Sequence, residues 1–339
     1  MLIKTANGNS GGIWILAEQS GGVIEPVSYE LLTRAILLAE KNNAEIYAMV
    51  LDRKLEDSEL NKLISRGADI VVATEDELLD YFIAEAFSQA MSEIIEVFKP
   101  EILLAGATST GRTAMPLTAV KVNTGLTADC TILDIDTESG NLLQTRPAIG
   151  GNILATIKTP DHRPQMATIR PHSTPQAPEQ SGRSGRIIRY ELQSELKNDA
   201  IKRIGFEPNR EKVAVIDAER VVVAGRGIKK AENMSLVYEL AEALGAAVGG
   251  TRDVVDRGWL SYPHQIGLSG HTISPKLYVG LGVSGAIQHL AGMQTAEKII
   301  VINNDPMADI FKVADVGIVG DLFNVVPEII RKLKDGGEL

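Results

Sequence analysis

Glycines and polar side chains follow the apolar runs in the last third of the sequence. Residues 277–303 read LYVGLGVSGAIQHLAGMQTAEKIIVIN, in which one apolar run ends at Ser284-Gly285 and another at Asn303. Between them lies a short helix pattern that starts with Ser284-Gly285 and carries Gln288 and His289 about one turn in. Ligands of open parallel sheets bind beyond the carboxyl ends of the strands, and a helix N-terminus suits a pyrophosphate. The pattern therefore predicts a site for a large anionic cofactor.

Other predicted strand tips in this region also place glycine beside a hydrogen-bonding side chain. They are Gly225-Arg226-Gly227, Gly249-Gly250-Thr251-Arg252, Gln265-Ile266-Gly267-Leu268-Ser269-Gly270 and Asp321. Each has an ordinary structural alternative. G-x-G without a third glycine is also a tight turn, Ser284 and Asp321 are also typical helix caps, and an isolated arginine or helical histidine is usually structural. The residues alone leave these alternatives open.

Motifs of several other chemistries are absent from the sequence. It contains no G-x-S-x-G elbow, no phosphate-binding G-x-x-x-x-G-K-[ST] loop and no His, Glu or Cys spacing typical of zinc. The one cysteine, Cys130, excludes an internal disulfide and an all-cysteine iron–sulfur cluster within this sequence. We expect neither a metal site nor a catalytic acid–base pair, and we interpret Cys130 as a core residue.

Length and composition indicate a globular protein of about two domains. The 339 residues are 44% hydrophobic and 23% charged, and the formal net charge of −10 argues against nucleic-acid binding. No apolar run reaches the roughly 18 residues of a membrane span. Because no secretory signal pattern is present, we expect a cytoplasmic location.

Hydrophobic periodicity divides the sequence into two α/β regions separated by β-rich and loop segments. In the first region we predict strands at 11–18, 44–50, 69–73 and 101–105 and helices at 29–41 and 84–98. In the second we predict strands at 220–225, 277–281, 298–302 and 316–319, a helix at 233–244 capped by Asn233, and a last helix from Asp321 or, because of Pro327, from Val325. Alternating strands and helices favour parallel sheets.

The segment between the two regions is less regular. Residues 127–170 predict short strands with a hairpin turn at 136–140, and 172–186 is rich in Pro, Ser, Gln and Gly, which is typical of an exposed loop. The low-apolar stretch Phe206 to Arg210 is the predicted hinge. We therefore place two domains at 1–207 and 208–339.

Long stretches of the sequence strongly resemble the electron transfer flavoprotein α-subunit family, which includes the FixB proteins. The resemblance rests on LYVGLGVSGAIQHLAG, on IVINNDPMADIFKVADVGIVGDLFNVVPEII, on TRDVVDRGWL with HQIGLSGHTISPKLY, and on LTADCTILDI, TRPAIGGNILATI and RPQMATIRP. It covers essentially the whole chain. It implies an α/β protein with an N-terminal nucleotide-α-hydrolase-like parallel-sheet domain and a C-terminal doubly wound domain that binds FAD.

The resemblance also implies roles for particular residues around the flavin. Arg252 is expected against the isoalloxazine ring, Ser269 at N5, and His289 as a donor toward the N1–C2=O edge, where fixed charge and hydrogen bonds tune a flavin. Asn303 and Asp321 are expected to hold the AMP half. The full set of expected cofactor-binding residues is Arg226, Thr251, Arg252, Gln265, Ile266, Gly267, Leu268, Ser269, Ser284, Gly285, Ala286, Ile287, Gln288, His289, Asn303, Asp321 and Leu322.

The function that the resemblance implies is electron transfer by bound FAD between flavin dehydrogenases and other redox partners. The expected partners are an electron transfer flavoprotein β subunit in a heterodimer and an acyl-CoA dehydrogenase or related flavoenzyme, as in fatty acid β-oxidation. SGHTISPKLY, LTADCT and DHRPQMATIRP look closer to anaerobic bacterial members, some of which bifurcate electrons with NADH and ferredoxin. Simple and bifurcating transfer both stay open, and so does a different class, an NAD(H)- or nucleotide-binding enzyme.

Overall fold

The computed structural model describes residues 11–148, 153–196, 201, 203–205, 215–216 and 218–334. The described residues divide into two compact units, one that ends at 205 and one that begins at 215. The predicted hinge at Phe206 to Arg210 lies outside the described residues. The domain boundary at 207/208 therefore stays a prediction.

The first unit is built around a seven-stranded parallel sheet. Its strands, including those of two smaller sheets, are β1 (Ile13–Ala17), β2 (Gln19–Ser20), β3 (Val23–Ile24), β4 (Ile46–Asp52), β5 (Ile70–Glu75), β6 (Ile102–Gly106), β7 (Leu126–Cys130), β8 (Ile132–Ile135), β9 (Leu142–Ala148), β10 (Ile153–Ile157), β11 (Gln165–Ile169) and β12 (Arg186–Arg189). Its helices are α1 (Pro26–Asn42), α2 (Asp57–Ser65), α3 (Ala84–Phe98) and α4 (Ser109–Lys121). The strand order in the large sheet is β12-β5-β4-β1-β6-β11-β7.

The sequence pattern explains why these elements form. Strands β1 and β4 are buried along their whole length, as continuous apolar runs in a parallel sheet require. Helix α3 has the predicted bounds and ends where Lys99 adopts a left-handed φ of 52° before Pro100. The predicted hairpin turn joins antiparallel strands β8 and β9, and the Gly140 N–H donates to the Asp136 carbonyl at 2.8 Å. Cys130 is buried, and burial raises the pKa of its thiol to about 12, which confirms it as a core residue.

The second unit is a five-stranded parallel sheet with a topological switch point at its first strand. Its strands are β13 (Arg220–Ala224), β14 (Ala247–Gly250), β15 (Leu277–Leu281), β16 (Ile299–Asn303) and β17 (Val316–Val319), and its helices are α5 (Met234–Leu244), α6 (Arg252–Asp256), α7 (Ile287–Leu290) and α8 (Leu322–Lys334). The order β14-β13-β15-β16-β17 means that the chain leaves β13 first to one side and then to the other. A crevice for a ligand is expected where the direction reverses, beyond β13 and β15.

Each face of this second sheet has its own apolar core. Val237 and Leu240 of α5 pack with Val326 of α8 on one face. Ile266 and Met293 pack on the other, where loops and the short helix α7 cover the strands. Among the described residues of the chain, no helix is both long and apolar enough to cross a membrane.

The predicted starts of helices α5 and α8 agree with the structure. Helix α8 begins at Leu322, directly after the predicted Asp321 and not at the alternative Val325, and the Asp321 carboxylate accepts from the Phe323 N–H at 3.0 Å. Asn233 holds the N-cap position of α5 but makes no capping bond; its side-chain amide donates to the Ile228 carbonyl at 2.8 Å.

The predicted start of the helix at the site differs from the structure. Helix α7 begins at Ile287, so the expectation that Ser284-Gly285 starts a helix is wrong. Gly285 has a φ of +83°, which is incompatible with a right-handed helix, and a Cβ built there would lie 2.1 Å from the Ile310 backbone nitrogen. Ser284 and Gly285 therefore lie in an irregular segment beside Ile310, whose N–H donates to the Ser284 carbonyl at 3.2 Å, and no helix begins at Ser284.

The close approach of Gly285 to Ile310 can be tested by comparing a substitution of Gly285 with the same substitution of a glycine that lacks close neighbours. We expect Gly285→Ala to lower the free energy of unfolding by roughly 3 kcal/mol, since it adds both backbone strain and overlap. Gly245→Ala, at a φ of +58° in open space, carries only the strain of about 1 kcal/mol. Urea unfolding followed by circular dichroism measures both, and equal losses would contradict the close approach to Ile310.

Candidate cofactor site

A cavity of about 540 Å³ lies at the carboxyl ends of three neighbouring strands, β14, β13 and β15. It is lined by Arg226, Thr251, Arg252, Asp253, Asp256, Gln265, Ile266, Gly267, Leu268, Ser269, Val283, Ser284, Ala286, Gln288 and His289. This volume falls within the range of roughly 300–1,000 Å³ that is typical of small-molecule sites. The cavity stands where the strand order predicts a ligand crevice.

Most of the expected cofactor-binding residues meet in this cavity. Gly285, Ile287, Asn303, Asp321 and Leu322 are not among the residues that line it. Three residues that sequence reasoning missed also line it, namely Asp253, Asp256 and Val283. For Asp256 a signal existed, because an acid four residues after Arg252 faces it on a helix.

The Gly225-Arg226-Gly227 tip is shaped by the backbone of the neighbouring strand tip. The Gly225 N–H donates to the Leu281 carbonyl at 2.9 Å, and the Gly227 N–H to the Gly282 carbonyl at 3.0 Å. A Cβ at Gly225 would lie only 2.3 Å from the Gly282 oxygen. The two glycines thus allow close contact between the two strand tips. Arg226, which lies between the glycines in sequence, is exposed at the cavity.

The loop that carries Ser269 is fixed by its own backbone hydrogen bonds. The His271 N–H donates to the Gln265 carbonyl at 2.7 Å, and the Gly267 N–H donates back to the His271 carbonyl at 3.1 Å. Gly267 has a φ of +143°, which suits glycine. The Leu268 N–H donates to the carbonyl of Gln288 at 2.6 Å, so the loop is also attached to helix α7. Ser269 therefore has a defined position at the cavity.

His289 is buried, and both of its ring nitrogens have protein partners. Nδ1 lies 3.0 Å from the Ile266 carbonyl oxygen and Nε2 lies 2.8 Å from the Tyr278 hydroxyl. A carbonyl only accepts, so Nδ1 carries the proton and Nε2 of the neutral ring accepts from Tyr278. Burial lowers the pKa of His289 to about 4, which keeps the ring neutral at pH 7. A donation from His289 to a flavin, as the resemblance implies, requires one of these bonds to be exchanged, and that role stays a prediction.

Two guanidinium groups and two carboxylates line the cavity, those of Arg226, Arg252, Asp253 and Asp256. Arg252 is 73% exposed, and its Nε lies 3.3 Å from a carboxylate oxygen of Asp256. An exposed pair of this kind contributes about 0–1 kcal/mol, so it holds Arg252 only weakly. Arg252 can therefore turn toward an anionic ligand.

Asn303 and Asp321 are both engaged in contacts within the protein. The Asn303 amide donates to the Val283 carbonyl at 2.7 Å and accepts from the Asp305 N–H at 3.0 Å, which ties the end of β16 to the chain after β15. Asp321 caps helix α8, which is the alternative that the sequence left open. Their expected role at the AMP half of the cofactor stays a prediction.

Comparison with known proteins identifies both units. Residues 13–195 match the electron transfer flavoprotein domain, and residues 214–294 match the electron transfer flavoprotein FAD-binding domain. The electron transfer flavoprotein subunit alpha of Thermoanaerobacterium thermosaccharolyticum is 45% identical over 95% of this chain and 97% of its own length. The protein FixB of Clostridium saccharobutylicum is 41% identical, over 96% of each chain. The subunit LctC of the lactate dehydrogenase (NAD(+),ferredoxin) of Acetobacterium woodii is 37% identical over 95% of this chain and 77% of its own length.

Fold, cavity and similarity together define an α/β flavoprotein of electron transfer. The chain belongs to the electron transfer flavoprotein α-subunit family, and its cofactor is FAD. The predicted family, fold class and cofactor are confirmed, and an NAD(H)-dependent enzyme is not favoured. Family members of this kind work within redox complexes that contain other subunits.

The residues at the cavity fit FAD chemically. Arg226 and Arg252 supply positive charge for a diphosphate or a reduced ring, and Ser269 and Ser284 supply hydroxyl groups. Leu268 and Val283 offer apolar contact for a flat ring.

The buried histidine predicts a specific pH dependence of stability. The pKa of His289 is about 4 in the folded chain against about 6.5 when unfolded, so the unfolded state binds the proton more readily. Its contribution to stability is complete above about pH 6.5 and is lost as the pH falls toward 4, amounting to about 2 kcal/mol between pH 7 and 5.

Urea unfolding at pH 7 and pH 5 measures this contribution. We expect His289→Gln to lose less stability than the wild type between the two pH values, because the other titrating groups are shared and cancel in the comparison. The same pH dependence in both proteins would show that His289 is not held as a neutral buried ring.

Proposed function

We propose that this chain carries electrons on FAD held by Arg226, Arg252, the loop 265–269 and residues 284–289 of the second unit. The observation that carries the proposal is the cavity at the tips of β14, β13 and β15, where two guanidinium groups and two serine hydroxyls meet. All residues that line this cavity lie within the segment that matches the FAD-binding domain.

The chain's own residues act on the cofactor through charge and position. Bound FAD supplies reversible uptake of one or two electrons. Arg252, only loosely paired with Asp256, places a positive charge where negative charge grows on reduction. Ser269 presents a hydroxyl from a loop whose backbone is fixed, and the neutral ring of His289 holds that loop in place.

The working unit in this proposal is a heterodimer with an electron transfer flavoprotein β subunit. It accepts electrons from an acyl-CoA dehydrogenase or a related flavoenzyme and passes them to a further redox partner. What supports the pairing is the similarity to proteins that are named as subunits of such complexes. Fatty acid β-oxidation and a cytoplasmic location belong to the same proposal.

Purification of the chain with its co-expressed β subunit tests the proposal. We expect a yellow heterodimer with a flavin absorption band that bleaches when a reduced acyl-CoA dehydrogenase is added. A colourless protein that binds NADH alone would contradict the proposal and favour the alternative function of a nucleotide-binding enzyme.

Electron bifurcation with NADH and ferredoxin is the second candidate. It is favoured by the similarity to a subunit of a lactate dehydrogenase that is named for NAD(+) and ferredoxin. Counting flavins per heterodimer separates the two functions, since two FAD molecules support bifurcation and one FAD, with AMP on the β subunit, supports simple transfer.

The role of Arg252 can be tested by removing its charge. We expect Arg252→Ala to leave FAD bound and to make one-electron reduction of the flavin about 1 kcal/mol or more less favourable, since a unit charge a few ångströms away contributes that much. Spectroelectrochemical titration of the heterodimer gives the potential.

Arg257→Ala is the matched control. Arg257 follows the same helix, pairs with Asp253 at the same 3.3 Å, and is not among the residues that line the cavity. If both variants shift the potential equally, or if Arg252→Ala shifts nothing, the role assigned to Arg252 is wrong.

A further inference from the structure

Gln265 makes a contact that connects the buried interior of the second unit to the cavity. The residue is only 4% exposed, and its Nε2 donates to the Ser269 Oγ at 3.0 Å. The two residues belong to one tight loop, because the His271 N–H also donates to the Gln265 carbonyl. Ser269 itself is exposed at the cavity.

The direction of this hydrogen bond has a consequence for the serine hydroxyl. A hydroxyl has one hydrogen to donate and two lone pairs that accept. The amide of Gln265 uses a lone pair of Oγ, so the contact does not consume the hydrogen of the hydroxyl. The same contact limits the rotation of the Ser269 side chain.

The packing around Gln265 leaves its amide little freedom to move. A Cβ built at Gly270 would lie 2.3 Å from the Gln265 carbonyl oxygen and 2.9 Å from its side-chain Cγ, so the loop folds directly over this residue. The Ile266 N–H donates to the Gly250 carbonyl at 2.9 Å, which fixes the loop to the end of β14. The backbone that carries the Gln265 amide is therefore held in a fixed position.

We propose that Gln265 is a positioning residue whose side-chain amide orients the Ser269 hydroxyl so that its hydrogen is directed to an acceptor atom of the flavin. The inference rests on the proposed function and deepens it. Gln265 lines the cavity as part of the loop 265–269, and its effect on the potential of the cofactor is exerted by orienting the Ser269 hydroxyl. An aliphatic side chain at 265 would leave the serine hydroxyl free to rotate and to donate elsewhere.

A double-mutant cycle on the FAD-loaded heterodimer tests this inference. We expect Gln265→Met and Ser269→Ala each to lower the equilibrium constant for one-electron reduction of the flavin by about fivefold, the effect of one net hydrogen bond. Because Gln265 acts through Ser269, Gln265→Met is expected to cause no further change in the Ser269→Ala background. Midpoint potentials are the readout, with the dissociation constant of FAD measured in parallel.

Gln288→Met is the matched control, since Gln288 also lines the cavity but is not the partner of the Ser269 hydroxyl. Its effect is expected to be the same in both backgrounds. If Gln265→Met does not fold, Gln265→Glu keeps the size of the side chain, and its carboxylate accepts from Ser269 instead of donating to it. We then expect a larger shift with Ser269 present than in the Ser269→Ala background.

The outcomes separate this inference from the proposed function. Additive shifts, or a Gln265→Met variant with an unchanged potential, would overturn the positioning role while FAD binding and reduction persist. A wild-type heterodimer that holds no FAD would overturn the proposed function itself.

Discussion

The cavity depends on one buried link, the pair of hydrogen bonds made by His289. One bond reaches the hydroxyl of Tyr278 inside strand β15, and the other reaches the carbonyl of Ile266 in the loop that carries Ser269. A strand, a loop and the short helix α7 are therefore joined at a single ring. A buried imidazole without these partners would have unsatisfied polar atoms in the core, which costs free energy. Movements of the strand, the loop or helix α7 that break either hydrogen bond are therefore disfavoured.

The site has a neutral interior, which contains these hydrogen bonds, and a charged rim. The interior holds a neutral imidazole, a fully buried tyrosine hydroxyl and the amide of Gln265. The rim holds the exposed guanidinium groups of Arg226 and Arg252 beside Asp253 and Asp256. Such a division suits the proposed flavin site, because fixed hydrogen bonds in the interior position the surrounding loop and positive charge at the rim favours a reduced ring.

Much of the fold follows from patterns that the sequence displays openly. Long apolar runs predict the strands of both parallel sheets, and helix α3 and strands β15 and β17 have the predicted bounds. The glycine-bearing tips could be recognised as neighbours because parallel strands bring their carboxyl ends to one edge. The family resemblance supplies the cofactor, which no single tip specifies.

Other features depend on contacts between distant segments and are not readable from local pattern. The Ser284-Gly285 dipeptide is typical of a helix start, but Gly285 adopts a positive φ close to the backbone of Ile310, and the helix begins only at Ile287. The partners of His289 lie 11 and 23 residues away, so its tautomer and charge are properties of the folded chain. For Asp321, by contrast, the local sequence pattern is sufficient, because it predicts the helix cap that the structure contains.

Hydrogen–deuterium exchange of the heterodimer with FAD removed and then restored tests the central claim most directly. The account predicts that FAD slows exchange at residues 225–227, 249–252, 265–271 and 284–289, the backbone around the cavity. Slowed exchange confined to the first unit, or unchanged exchange at these four segments, would contradict a flavin seated at the tips of β14, β13 and β15.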